Sequence, residues 1–265
     1  MDKNSGATLK MVTTVTFLVM IVANALANIL PLNGITTGEV SDSYPNLFAP
    51  AGITFSIWGV IYLLLAGYIL YQHGVFQKNP KHEKMIRRIS VIFSISSLAN
   101  SIWIFAWHYR LIPLTMILML VILLCLIIIN QMTYKEKFTL LEKVFIKVPF
   151  SVYFGWITIA TIANLTTLLV DIQWNRFGLS EPIWMILTLA AGVLIGGATM
   201  LKHRNMPYGL VLIWAYGGIW LKHTSETGFK GQYFSVIAAT LISLCLFLIA
   251  EIYLVIPKRE KPLIK

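Results

Sequence analysis

Long apolar runs recur along the whole chain, and the polar positions gather in the short stretches between them. A helix needs about 20 consecutive apolar residues to cross the hydrocarbon of a bilayer, so each run predicts a membrane-spanning helix. Eight follow, at roughly 10–31, 51–72, 88–108, 111–132, 144–170, 183–201, 206–222 and 232–256. The sequence "HYRLIP" divides the third from the fourth, because Arg110 and Pro113 punctuate a run too long for one crossing. The seventh span is short and glycine-rich, which predicts a tilted or partly broken helix. No stretch between the runs could fold as a separate soluble domain. The predicted fold class is an all-α polytopic membrane bundle, and any function lies between its helices or in the loops that cap them.

Charged residues make up only 12% of the chain, about half the share in soluble domains. A net charge of +10 would suit a nucleic-acid partner, but the chain has no basic domain and the charge is spread by topology. With the N-terminus inside, Arg110, Arg176, Lys222 and Lys230 are the only four of the 21 lysines and arginines on the outer side. This positive-inside bias predicts a multi-pass cell-membrane protein with both termini cytoplasmic. The basic excess then serves orientation and attraction to lipid headgroups, so membrane lipid is an expected partner and nucleic acid is not. Small residues in "ANALAN" offer a signal-peptide-like end to the first span. Its apolar core exceeds an ordinary signal core, and the charge count requires it, so it is expected to stay. Cys125 and Cys245 fall inside spans and read as small packing residues, not as a disulfide or metal pair.

Three neighbouring spans carry polar and aromatic residues at helical spacing. Phe55, Trp58 and Tyr62 share one face of the second span, and Asn100, Trp103 and Trp107 one face of the third. Trp156, Ala160 and Asn164 do the same in the fifth. An asparagine amide in hydrocarbon must find partners, so Asn100 and Asn164 should face the bundle interior and turn their tryptophans inward with them. Helix packing accounts for any one of these residues. Taken together they predict an aromatic-lined cleft for a planar apolar ligand, with the turn-rich loop 31–50, which lacks lysine and arginine, as its lid.

In order and spacing these motifs resemble the TspO/MBR family of tryptophan-rich sensory proteins (translocator proteins, peripheral benzodiazepine receptors). The second helix of that family leaves a proline-rich turn and reads Trp-x-x-Leu-Tyr, similar to Pro50 and Trp58-Gly-Val-Ile-Tyr62. Its third helix carries Asn-x-x-Trp with a further aromatic a turn later, like Asn100, Trp103 and Trp107. Its last helix reads Trp-x-x-x-Ala-x-x-x-Asn, like Trp156, Ala160 and Asn164 after Pro149-Phe150. The resemblance covers roughly residues 10–175, five spans, and divides the chain into a TspO-like bundle (1–175) and three additional helices with a basic tail (176–265) in one membrane domain. It implies a ligand of the porphyrin, haem or sterol class, bound for sensing or transport. There are departures: Gly52 stands where the family has an earlier tryptophan, and the Trp-Tyr pair after the first helix is missing.

Elsewhere, Gly192 and Gly196 form a GxxxG pair, which suits internal packing or a homodimer, and Gly217-Gly218 suits close approach or a looser helix. Glu251 is the one carboxylate well inside a span. It reads either as an acid paired with Lys147 or Lys202 or as a proton-coupling group. His108 and His223 read as interfacial caps rather than haem ligands. "PAGITFSIWGVIY" in span two is echoed by "PYGLVLIWAYGGIW" in span seven, a match too short to establish an inverted repeat. No catalytic signature occurs. Besides ligand binding, a proton-coupled secondary transporter and a scaffold for a partner membrane protein remain open.

Overall fold

The structure is a computed structural model and describes residues 3–30, 32–76 and 81–256. Pro31, and Lys78, Lys258, Arg259, Lys261 and Lys265 of the charge argument, lie outside the described residues. The first helix, α1 (Lys3–Ile29), leads through a turn to a short α2 (Thr37–Asp42), and a 3-10 turn (Gly52–Ser56) opens α3 (Ile57–Gln72). Helices α4 (Glu83–His108), α5 (Ile112–Thr133), the single turn α6 (Leu140–Glu142) and α7 (Val148–Asp171) follow. The last three are α8 (Glu181–His203), α9 (Met206–Thr224) and α10 (Phe234–Val255). The eight long helices fall at the eight predicted spans. Among the described residues, seven are long and apolar enough to cross a membrane, α9 being the exception.

Punctuation between helices follows local chemistry. Arg110 adopts a left-handed φ of 57° between α4 and α5, and Pro113 sits in the first turn of α5, where its missing N–H costs nothing. Pro149 has the opposite effect upstream. It can donate no hydrogen bond and crowds the carbonyl four residues back, and the helix widens into a π turn at Lys143–Lys147 just before it. Thr139 and Glu142 cap this segment reciprocally. Glu142, fully buried, also meets His82 Nδ1 at 2.8 Å and so ties the α3–α4 connection to the start of α7.

Helices α4 and α7 are the inner pillars, with most of their apolar windows buried. On one side α4 packs against α1 and α5; α7 packs against α5, α3 and α9; α10 closes the far side against α8 and α9. Small and hydroxyl side chains let these helices approach, as membrane interfaces require. Ser94 Oγ donates to Thr13 Oγ1 between α4 and α1. Ser90 Oγ donates to Gln72 Oε1 at 2.9 Å and receives Tyr68 Oη at 2.9 Å between α4 and α3.

Helix α9 is continuous, which removes the partly broken alternative for this span. At 19 residues it is ~28 Å long, enough to cross. Its lower hydropathy has a physical reason: α7, α8 and α10 surround much of it, and Tyr208 and Tyr216 point into protein rather than lipid. Its glycines and those facing it serve close approach. A Cβ on Gly155 of α7 would stand 2.8 Å from the Tyr208 carbonyl oxygen and 2.9 Å from Val211 Cβ. One on Gly192 would stand 2.2 Å from Tyr216 Oη, one on Gly196 2.6 Å from Leu212 Cδ1, and one on Gly218 2.0 Å from Thr54 Oγ1. The GxxxG face of α8 is therefore occupied by α9. Gly155→Ala should destabilise the protein by about 1–3 kcal/mol through overpacking. Gly197→Ala, where an added Cβ meets nothing within 4 Å, should not. Thermal unfolding of both variants in one detergent checks this pair.

Candidate functional site

The first layer of the site is a pair of hydrogen-bond chains that orient the aromatic helices. Asn24 Nδ2 donates to Asn100 Oδ1 at 2.7 Å, and Asn100 Nδ2 donates to Tyr153 Oη at 3.3 Å. This links α1, α4 and α7. One turn onward, Trp103 Nε1 donates to Asn164 Oδ1 at 2.9 Å, and Asn164 Nδ2 donates to Thr115 Oγ1 at 2.9 Å, which brings in α5. In hydrocarbon no water competes for these groups, so once paired they hold the helices in register.

On this frame the predicted aromatics meet. Trp58 is the hub. It stacks on Tyr62 with ring centres 5.5 Å apart and meets Tyr153 and Trp156 edge-on at 5.9 and 6.2 Å. Phe55 meets Trp156 edge-on at 5.9 Å, while Trp103 stacks on Trp107 at 5.3 Å. Such offset and edge contacts suit the quadrupoles of the rings. Two donors in this wall, Tyr62 Oη and Trp156 Nε1, are buried without a hydrogen-bond partner.

The wall divides two spaces. A groove of about 490 Å³ runs between α1 and α3, floored by Trp103 and Ile104 and walled by Phe55, Trp58 and Tyr62. Across from them stand Asn24 and Asn28. Helices α1 and α3 barely touch, which leaves this side of the bundle open. Behind the wall a void of about 60 Å³ is lined by Trp58, Trp103, Trp107, Trp156 and Asn164. That is room for about two waters, whereas the groove falls within the ~300–1,000 Å³ of ordinary small-molecule sites. The eight predicted residues therefore do not share one space. Phe55, Trp58 and Trp103 touch both, Tyr62 only the groove, and Trp107, Trp156 and Asn164 only the void. Asn100 lines neither, its amide being taken by Asn24 and Tyr153. Gly52 and Gly59 edge the groove, and an added Cβ on either meets nothing within 4 Å. The groove is open in part because no large side chain stands at 52.

The loop expected to act as lid is a folded element. Thr36 and Glu39 form a capping box at α2, with Thr36 N–H donating to Glu39 Oε2 at 2.6 Å. The backbone N–H and then the hydroxyl of Thr36 hold the Glu39 carboxyl below its ordinary value. A carboxyl so lowered completes the cap at neutral pH and releases it as the pH falls through its folded-state value. His108 pins α2 from below. Its Nδ1 lies 3.0 Å from the Leu32 carbonyl and donates there, which leaves Nε2 to accept from the Thr37 hydroxyl at 3.1 Å. Trp107 Nε1 adds a bond to the Thr37 carbonyl at 3.1 Å. On the far side His223 Nε2 donates to the Leu47 carbonyl at 2.9 Å. Both histidines are thus fasteners of the loop. The start of α3 is fastened to α9 as well: Ala51 N–H donates to the Gly218 carbonyl at 3.0 Å, and Trp214 Nε1 to the Thr54 carbonyl at 2.9 Å. The two echoing segments of spans two and seven are in direct contact here.

Sequence reasoning missed Asn24, Asn28, Thr37 and Thr115. The asparagines recur at i and i+4 on α1, which was a readable signal. The threonines gave none, since threonine satisfies itself within a helix.

Glu251 departs from the paired expectation. It is 7% exposed, both carboxylate oxygens lack a hydrogen-bond partner, and no ion pair to Lys147 or Lys202 forms. A Cβ on Gly209 of α9 would stand 2.1 Å from Glu251 Oε1, so the acid lies against the α9 backbone.

An all-helical bundle of lipid-crossing helices defines a multi-pass membrane protein, and this one holds an aromatic-walled groove between its helices. The sequence profile of the family described as "TSPO-like protein" matches residues 10–254, and the chain belongs to that family. The match runs past the five spans that carry the motifs and takes in α8, α9 and most of α10. No curated protein and no solved structure matches the chain.

Removing the pin should loosen the lid selectively. His108→Ala deletes two hydrogen bonds, one buried and one partly buried, worth about 1 kcal/mol each. Amide exchange over residues 36–43 should quicken by roughly tenfold or more, while the middle of α4 keeps its protection.

Proposed function

We propose that the groove between α1 and α3 binds a planar hydrophobic ligand of the porphyrin, haem or sterol class, for sensing or transport. One observation carries the reading: the groove is walled by Phe55, Trp58, Tyr62 and Trp103 at the size of an ordinary ligand site, beside two buried donors with no partner. The rings offer stacking area, and Asn28 at the rim offers an amide to a polar edge. An unpaired buried donor costs about 1–3 kcal/mol, a cost that a ligand acceptor reaching Tyr62 Oη would relieve. Family membership favours the same ligand class. The orientation with both termini cytoplasmic, in the cell membrane, is part of this proposal and rests on the distribution of lysine and arginine.

Tryptophan-fluorescence titration of the purified protein with protoporphyrin, haem and a sterol tests it. Saturable quenching by one of them is expected, with affinity at least about tenfold lower in Trp103→Ala. Gly59→Leu should weaken binding comparably by filling the groove, and leucine favours the helix. Equal affinity in wild type and both variants would remove the groove from consideration.

The isolation of Glu251 favours a second reading, a secondary transporter that carries protons with its substrate. An intramembrane acid without a partner is the group such coupling uses. Uptake into vesicles driven by a pH gradient should then be abolished by Glu251→Gln. Gradient-driven uptake that survives the substitution would exclude Glu251 as the coupling group.

A further inference from the structure

We infer that a basic cavity at the end of the bundle where α8 turns into α9 is a binding site for the headgroup of an anionic phospholipid. The cavity measures about 820 Å³ and lies between the start of α7, the C-terminal ends of α5 and α8, and the last turns of α10. Three cationic side chains line it: Lys147 from the π turn, and Lys202 and Arg204 from the end of α8 and the turn that follows. Among the described residues, none of the three is in an ion pair and no acidic side chain lines the cavity. Glu251, next to the lining Ala250 on α10, is turned onto Gly209 of α9.

Arg204 is built in. Arg204 holds a left-handed φ of 45°, and its Nη2 donates to the Leu254 and Ile256 carbonyls at 2.8 and 3.0 Å. That anchors the guanidinium to the end of α10 and leaves its other donors for an anion. The preceding residue, His203, is buried against Asn130 and stacks on Tyr134 with ring centres 4.5 Å apart, which fixes the backbone that presents Lys202. Asn205 caps α9 and donates to Asn130 Oδ1 at 3.0 Å. The backbone that carries Lys202 and Arg204 is therefore fixed, and the tethered Arg204 lowers the cost of ordering the site around a phosphate.

The apolar side of the cavity selects a lipid over a soluble phosphate. Leu246, Ile249 and Ala250 line it along α10, and Leu246 and Ile249 stay exposed toward the bilayer, at 48% and 63%. This stripe leads from the cationic end toward the middle of the membrane, along the path of an acyl chain whose headgroup sits at Lys147, Lys202 and Arg204. Basic pockets between transmembrane helices hold lipid headgroups in this way. A free phosphate would leave the stripe unused.

The test uses the full-length protein in lipid nanodiscs of phosphatidylcholine doped with phosphatidylglycerol, with retained lipid counted by native mass spectrometry. Wild type should retain phosphatidylglycerol at roughly tenfold or more over phosphatidylcholine relative to the supplied ratio. Lys147→Gln/Lys202→Gln should lose that preference, and Lys147→Arg/Lys202→Arg should keep it. Unfolding temperatures in pure phosphatidylcholine serve as the control for folding. Equal preference in wild type and the glutamine pair overturns the site. So does saturable binding of inorganic phosphate to wild type in neutral nanodiscs with the same lysine dependence, since the cavity would then serve a soluble anion. If the glutamine pair fails to fold, Lys202→Gln alone, at an exposed position, must at least halve the preference for the inference to stand.

Discussion

Two chains of side-chain hydrogen bonds, Asn24 to Asn100 to Tyr153 and Trp103 to Asn164 to Thr115, decide how α1, α4, α5 and α7 face one another. Their leverage comes from the solvent. In hydrocarbon an unpaired amide has nowhere else to go, so rotating any of these helices strands several polar groups at once. The aromatic wall depends on that rotation, because Trp58, Trp103 and Trp156 are placed by the helices that the asparagines hold. Each asparagine is more structural than its type suggests. Asn100 gives its whole amide to helix registry, and Asn164 holds Trp103 by the indole.

A second constraint is steric and centres on α9. Gly155, Gly192, Gly196 and Gly218 each stand where a side chain would collide with α9 or with its neighbour Thr54. The last three helices are thereby joined to the first five as one packed body, by way of α7 and the start of α3. The groove owes its shape partly to this contact: the bonds from Ala51 and Trp214 hold the Gly52–Ser56 turn to α9 and away from α1. The helices beyond the motif-bearing spans thus act on the site without lining it.

The two ends of the bundle carry different chemistry. The end with α2 is closed by a capped, histidine-pinned lid beside a groove of aromatic and amide groups. The end where α8 meets α9 is open, basic and edged by lipid-facing aliphatic side chains. The proposed hydrophobic ligand and the proposed phospholipid headgroup are distinct demands and would fall on distinct residues. Glu251, inside the second end but turned from its cations, is the polar group that neither demand explains.

The sequence by itself determined the eight long helices and roughly where they lie, because apolar run length answers to bilayer thickness and the break at Arg110 and Pro113 answers to local backbone chemistry; the short α2 and the π turn before Pro149 were not legible in it. It also showed that Trp58, Trp103, Trp156 and their asparagines face inward, since helical spacing and the cost of an unpaired amide are both local quantities. Tertiary structure alone decided what those residues do on arrival. That Asn100 is spent on Asn24, that Trp107 lies behind the wall rather than in the groove, and that Glu251 meets a glycine instead of a lysine all depend on which helices become neighbours. Periodicity gives the direction a side chain points from its own axis, and it is silent on what stands opposite. The same limit hid the basic cavity, whose Lys147 is brought to Lys202 and Arg204 only by the packed bundle.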